Sequence, residues 1–291
     1  MRVLVSCPTN NLLDPPADFR AGQGAPTRHS GRYGEEAQRR PARKDAAQRV
    51  RYLWDRTLGF TALSLAIMVG PTAGAQTPPA DDGIAPFSAR YQADWKSITV
   101  GTSDLELKQD TEPGRYLYTW TITAHGIFRL YRDEVTQKSW LSIHADHVRP
   151  EKYRAEDGSS SVNLDFDWDA GQVRGTSEKK PVDLKLEDGT QDLMSIQVEV
   201  MLDLKRGNLP KTFQIIDKDR LKEFIYTQEG AAKIRTDLGE LDTVIVESRQ
   251  AGNTRILRMW FAPSLGFVPV QAERTRDGKL EFAMRIKTLK R

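Results

Sequence analysis

The chain has 291 residues and a formal net charge of +3, with 43 Lys and Arg against 40 Asp and Glu, so it offers no strong charge field for a nucleic-acid partner. Its one cysteine, Cys7, excludes a disulfide framework.

Asp14 to Arg49 holds Phe19 and Tyr33 as its only large apolar groups, too few to offset the entropy of ordering that segment. Thr57 to Ala75 is an uncharged apolar run preceded by Arg51 and Arg56 and closed by Ala73-Gly74-Ala75. Leu58 to Val69 supplies the apolar stretch of a secretory signal, Gly70-Pro71 breaks it, and the small residues Ala73 and Ala75 fit a cleavage site before Gln76. The run is shorter than the ~20 residues a spanning helix needs. The expected organisation is a disordered leader at 1–49, a signal peptide at 50–75, a linker at 76–86 and a β-rich exported domain at 87–291. Val50, the residue a GTG start codon gives when read internally, is the expected start of translation, which makes 1–49 an upstream reading error.

With no cysteine at the cleavage site, the mature protein is expected to be unlipidated, in the periplasm of a Gram-negative bacterium, with no membrane span after cleavage. Residues 1–75 carry 11 of the 43 basic and 6 of the 40 acidic residues, leaving 32 against 34 and a net charge of −2. The mature chain also lacks a thiol nucleophile.

Gln76 to Pro86 is rich in Pro, Ala and Asp and reads as a tether. From Phe87 the pattern changes, because Phe87, Ala89, Tyr91, Ala93 and Trp95 alternate with polar residues at a period of two. The period returns in Tyr116–Ala124, in Val162, Leu164, Phe166 and Trp168, and in Leu280, Phe282, Met284 and Ile286. Val244–Glu247 and Arg255–Phe261 are further strands by composition. Turns are expected at Glu112-Pro113-Gly114, Asp157-Gly158, Asp169-Ala170-Gly171, Asp188-Gly189, Gly252-Asn253 and Asp277-Gly278. Between the strand sets, Leu193, Ile196, Val200 and Leu204 recur at helical spacing, with Thr190 or Asp192 as cap and Gly207 and Pro210 as the stop. The expected fold is all-β and mainly antiparallel, a curved sheet or partly open β-barrel with one main helix packed across it.

Gln191-Asp192-Leu193-Met194-Ser195, and Arg258-Met259-Trp260-Phe261-Ala262-Pro263 leading to Gly266-Phe267-Val268-Pro269-Val270, carry a resemblance. They resemble an exported bacterial family of unknown function, domain of unknown function 3108, in which an Asp-(Leu/Pro)-x-Ser helix start and a Trp-containing strand ending in a Leu-Pro or Val-Pro step recur. The resemblance spans roughly Phe87 to Leu289. It implies a curved or barrel-like antiparallel domain of the envelope and brings no activity with it.

Catalytic chemistry is scarce. His144 and His147 stand three apart, so on a strand they point to opposite faces and meet only if the segment turns. Asp165, Asp167 and Asp169 share one strand face but lack the wrapped loop and downstream Glu of a calcium site. Ser159-Ser160-Ser161 has no Gly-x-Ser-x-Gly frame and reads as a hairpin loop. Asp192 and Ser195 fit helix capping better than an acid and nucleophile. No phosphate-cradling glycine loop occurs, so no cofactor is expected, and the protein is expected not to be an enzyme.

The remaining inventory is aromatic. Tyr91, Trp95, Tyr118, Trp120, Phe166, Trp168, Trp260 and Phe282 fall on the dry side of their strands and form either a packed core or the wall of an apolar pocket. The expected partner is a lipid or other hydrophobic small molecule in the concavity. The alternative is an envelope protein docked on an exposed sheet edge, with an envelope hydrolase a distant third.

Overall fold

A computed structural model describes residues 83–130, 134–144, 146–158 and 160–291. The leader at 1–49, the signal at 50–75, the cleavage point between Ala75 and Gln76, Cys7, Ser159 and the linker through residue 82 lie outside the described residues. Ile84, within the expected linker, is 3% exposed and belongs to the core.

Two meanders make up the domain. The first comprises β1 (Phe87–Trp95), β2 (Ile98–Gln109), β3 (Arg115–Ala124), β4 (Glu134–Ile143), β5 (Val148–Asp157), β6 (Ser160–Asp167), β7 (Gln172–Ser177) and β8 (Lys180–Lys185). After α1 (Ser195–Arg206), the second comprises β9 (Lys211–Asp217), β10 (Arg220–Thr236), β11 (Gly239–Gln250), β12 (Arg255–Ala262), β13 (Val268–Arg276) and β14 (Lys279–Lys290). β14 returns to pair with β1, with Tyr91 opposite Ile286 and Trp95 opposite Phe282, so both meanders join in one fourteen-stranded antiparallel sheet.

The sheet is open, because its outermost strands β8 and β9 do not pair with each other. Both edges are guarded all the same. Gln191 lies along β9, its N–H donating to the Gln214 carbonyl and its own carbonyl accepting from Ile216, each at 2.9 Å. β8 is six residues long and contains Lys180, Pro181 and Lys185, residue types that discourage pairing at an edge. Lys218 in the β9–β10 turn reaches Glu178 in the β7–β8 turn at 2.5 Å.

Register shifts at Arg90/Tyr91, Trp140/Leu141, Trp260/Phe261 and Arg274/Thr275 bend the strands. Gly101 makes one close approach of strands possible, since a Cβ there would stand 2.1 Å from the Thr123 carbonyl oxygen.

The sheet wraps around α1, burying nine of its twelve residues, which a helix lying on a flat sheet could not achieve. The open antiparallel sheet with one main helix packed across it is the fold that the sequence suggests. Even the charged residues Glu199 and Asp203 are buried, at 2% and 0% exposed. Gly207 at φ 70 stops the helix, its N–H returning to the carbonyls of Asp203 and Leu204.

Candidate ligand cavity

The start of α1 is fixed by a reciprocal cap. Asp192 Oδ1 accepts the N–H groups of Met194 and Ser195 at 2.7 and 2.8 Å, and Ser195 Oγ accepts the Asp192 N–H at 2.9 Å. Two backbone donors that would otherwise be orphaned at the helix end are thereby satisfied. Asp192 Oδ2 also accepts the Ser139 hydroxyl at 2.6 Å. Burial pushes the Asp192 carboxyl up to about 6, against the opposing pull of these hydrogen bonds. The Asp-Leu-Met-Ser sequence is therefore a structural cap, and it aims the first helical turn into the sheet.

That first turn does not fill the space in front of it. A cavity of about 70 Å³ remains between Leu193, Met194 and Gln197 of the helix start and the inner face of the sheet. Leu105 and Trp120 come from the first meander, and Leu257, Met259, Phe282 and Met284 from the second. Pro269 and Ala272 complete the apolar wall, and Gln137, Gln197 and Arg274 are its polar members.

Of the eight aromatic residues singled out in the sequence, Trp120 and Phe282 line this cavity. Trp120 is held by its indole N–H donating to Ser103 Oγ at 2.6 Å. Tyr118 is fully buried and donates to Gln197 Oε1 at 3.0 Å, so it orients a lining residue. Tyr91 donates to the carbonyl of the lining residue Pro269 at 2.7 Å, and burial raises its phenol well above the usual range. Trp95 stands next to the cavity wall, its ring centroid 5.5 Å from the Arg274 guanidinium.

Phe166, Trp168 and Trp260 lie elsewhere. Phe166 is core, and Trp168 donates to the Pro150 carbonyl at 2.8 Å beneath Arg149. Trp260 follows Met259, so strand alternation turns it away from the face that Leu257 and Met259 present to the cavity. The alternation of aromatic residues that marks Trp120 and Phe282 carries no signal for Met194, Met259, Met284 or Arg274, which complete the wall. Ala272 and Arg274 alternate onto one face of β13, and the register shift at Trp260/Phe261 brings Pro269 onto it in place of Val270.

Arg274 belongs to a cluster at one end of the sheet. The Glu281 carboxylate receives Arg255, Arg274 and Arg276 at 3.1, 3.2 and 3.0 Å. A second charged group anchors the far end of the helix: Lys211 bridges Glu199 and Asp203 at 3.2 Å each, and Glu199 Oε2 accepts the Val148 N–H at 2.5 Å. Burial raises the Glu199 carboxyl above its ordinary range, opposed by the Val148 N–H and by Lys211.

The β4–β5 segment does turn, and it brings the His144 and His147 rings into a stack with centroids 4.7 Å apart. His147 Nδ1 lies 2.5 Å from Asp146 Oδ1. No group of three His, Cys, Asp or Glu among the described residues could hold a metal ion. Asp165 pairs with Arg154 at 2.6 Å, and Asp167 accepts the Ala170 N–H at 2.9 Å, so these carboxylates serve the surface and the turn. Among the described residues no helix is long and apolar enough to cross a membrane.

An open antiparallel sheet curled around a buried helix defines a barrel-like β protein with an internal cavity. The chain belongs to the family described as protein of unknown function, DUF3108, whose model matches residues 90–285. No curated protein matches it. Among solved structures, the chain is similar to a β-barrel-like protein of domain of unknown function DUF1849 from Brucella abortus, at 13% identity and a TM-score of 0.50, covering 71% of this chain and 98% of that one. That likeness supports the fold. Weaker likenesses are to a protein from Bacteroides fragilis considered exported and having a YmcC-like fold (9% identity, TM-score 0.31, 70% and 95% covered) and to one from Parabacteroides distasonis considered a lipoprotein (9%, 0.32, 72% and 97%).

Proposed function

We propose that this is a periplasmic, non-catalytic envelope protein that binds a lipid or other hydrophobic molecule in the concave side of its sheet. The observation that carries the reading is the cavity beneath the α1 cap, walled mainly by apolar side chains from both meanders. A concavity walled chiefly by apolar side chains with a few polar groups is the usual form of a small-molecule site. Met194, Met259 and Met284 in the wall are flexible and polarizable, residue types that can repack around a hydrophobic molecule. Export rests on the apolar run Thr57 to Ala75 and its small-residue cleavage site.

Docking through a sheet edge is the second reading, and the guarded edges weigh against it: Gln191 occupies part of β9, and β8 is short with Pro181 within it. Thermal unfolding of the purified full-length chain with and without a lipid extract of its own envelope tests the proposal. A ligand that binds only the folded state raises the midpoint with concentration. An unchanged midpoint across extracts at saturating concentration would argue against a hydrophobic ligand.

A further inference from the structure

We infer that the tip formed by the β1–β2 turn and the connection after β3 is a membrane-docking element, whose apolar side chains enter the interface of a phospholipid bilayer. The inference stands on the surface of this tip and goes beyond the cavity reading above.

Ile98, Ile127 and Leu130 are 58, 63 and 87% exposed, the highest values for large apolar side chains among the described residues, and all three stand at this tip. β2 starts at Ile98, and β3 ends at Ala124 opposite Gly101. The His125 N–H donates to the Val100 carbonyl at 2.8 Å, and the His125 carbonyl accepts the Phe128 N–H at 3.2 Å. The 3-10 turn Gly126–Leu130 is thereby folded beside the first residues of β2. None of its five residues is buried, so Ile127 and Leu130 do not serve the core. Single exposed apolar residues are ordinary on a protein surface, whereas a cluster marks a contact. Elsewhere the turns are polar, as at Asp157-Gly158, Asp169-Ala170-Gly171, Gly252-Asn253 and Asp277-Gly278.

Area and charge select the occupant. Three side chains on a projecting turn fall far short of the ~800 Å² per partner of a stable protein interface. A bilayer sets no such minimum, since each apolar side chain that enters it leaves water on its own account. Lys96–Val100 and His125–Leu130 contain no Asp or Glu, so neither segment brings a carboxylate to the lipid phosphates. Lys96, exposed in the β1–β2 turn, supplies a cation for them.

The tip also stands near the cavity. Ile98 is the cross-strand partner of Trp95, and Trp95 is that of the lining residue Phe282. A bilayer touching Ile98 is therefore two strands away from the cavity wall.

Flotation with vesicles of equimolar phosphatidylcholine and phosphatidylglycerol, using the protein purified from the cells that make it, tests the inference. The parent should float with the vesicles. Leu130→Ser should weaken the partitioning roughly tenfold, the low end for withdrawing one Leu side chain from water, and Ile127→Ser by a similar factor. Both should leave the thermal midpoint unchanged, because the turn holds no buried residue. Leu238→Ser, in the β10–β11 turn, should float like the parent. So should a folded Met259→Trp variant, in which the cavity is filled, and loss of its flotation would assign the lipid contact to the cavity and overturn the inference. A parent that stays with the soluble fraction overturns it, as does flotation that Ile127→Ser and Leu130→Ser share undiminished. Dimerisation of the parent that Leu130→Ser abolishes, without flotation, would make a second copy the occupant and overturn it as well. An unbound parent leaves the hydrophobic-ligand reading to its own thermal test.

Discussion

Ser139 of β4 donates its hydroxyl to Asp192 Oδ2 at 2.6 Å, tying the wall of the sheet to the cap of a helix 53 residues further along the chain. The other oxygen of that carboxylate serves the backbone of Met194 and Ser195, so one buried side chain fixes both where the helix starts and how it meets the sheet.

Asp192→Ala should therefore destabilise the fold by about 3 kcal/mol, combining the loss of a cap with a stranded buried Ser139 hydroxyl. Asp192→Asn keeps a carbonyl oxygen for the helix N–H groups and presents an amide to Ser139, and it should cost less than about 1 kcal/mol. Urea unfolding midpoints of the two variants make the comparison.

The same residue predicts a pH dependence. Burial raises its folded-state value to about 6, above the ordinary aspartate range, so folding favours the protonated form. Its contribution to stability is complete below pH ~4 and is lost as pH rises through about 6, by an amount on the order of 3 kcal/mol. In Asp192→Asn this component vanishes, and the stability difference between variant and parent should move in the variant's favour from pH 4 to pH 7. An unchanged difference across that range would mean that Asp192 stays ionised throughout.

Lys211 bridges two buried helix carboxylates, Glu199 and Asp203. Lys211→Met should destabilise by about 2 kcal/mol at neutral pH, below the ~3–5 kcal/mol of a fully buried pair because the lysine side chain is 40% exposed. Removing the cation raises the Glu199 carboxyl further, so the loss should shrink on acidification. Chemical denaturation at two pH values reads both effects.

Gly101→Ala puts a methyl group against the Thr123 carbonyl across the β2–β3 pair. Strand separation is the available relief, and a loss of about 2 kcal/mol is expected from overpacking alone. A lowered thermal midpoint with retained far-UV dichroism would match this expectation.

Strands with a clear apolar and polar face announce themselves, and largely polar ones do not. Phe87–Trp95, Tyr116–Ala124 and Leu280–Ile286 alternate and fall within β1, β3 and β14. β7 and β8 are short and largely polar, and the outer half of β10 is mostly exposed, so no period-two contrast marks them. The expected turns contain Gly, whereas Lys96-Ser97 and Glu178-Lys179 adopt positive φ without any glycine or asparagine to mark them. The β1–β14 pairing joins opposite ends of the domain, and no local pattern encodes such a contact. The burial of Glu199 and Asp203 is not legible locally, because their partners, Lys211 and the Val148 N–H, stand elsewhere in the chain. For the site, aromatic alternation located Trp120 and Phe282, but methionines and a buried arginine complete the wall, and neither type signals a cavity before the strands are aligned.

Native mass spectrometry of the protein purified without denaturation from the cells that make it tests the central claim most directly. The account predicts a mass excess matching one hydrophobic ligand per chain, removed by organic extraction and absent from a folded Met259→Trp variant. A bare polypeptide mass, with no rise in thermal stability when the envelope extract is returned, would contradict it.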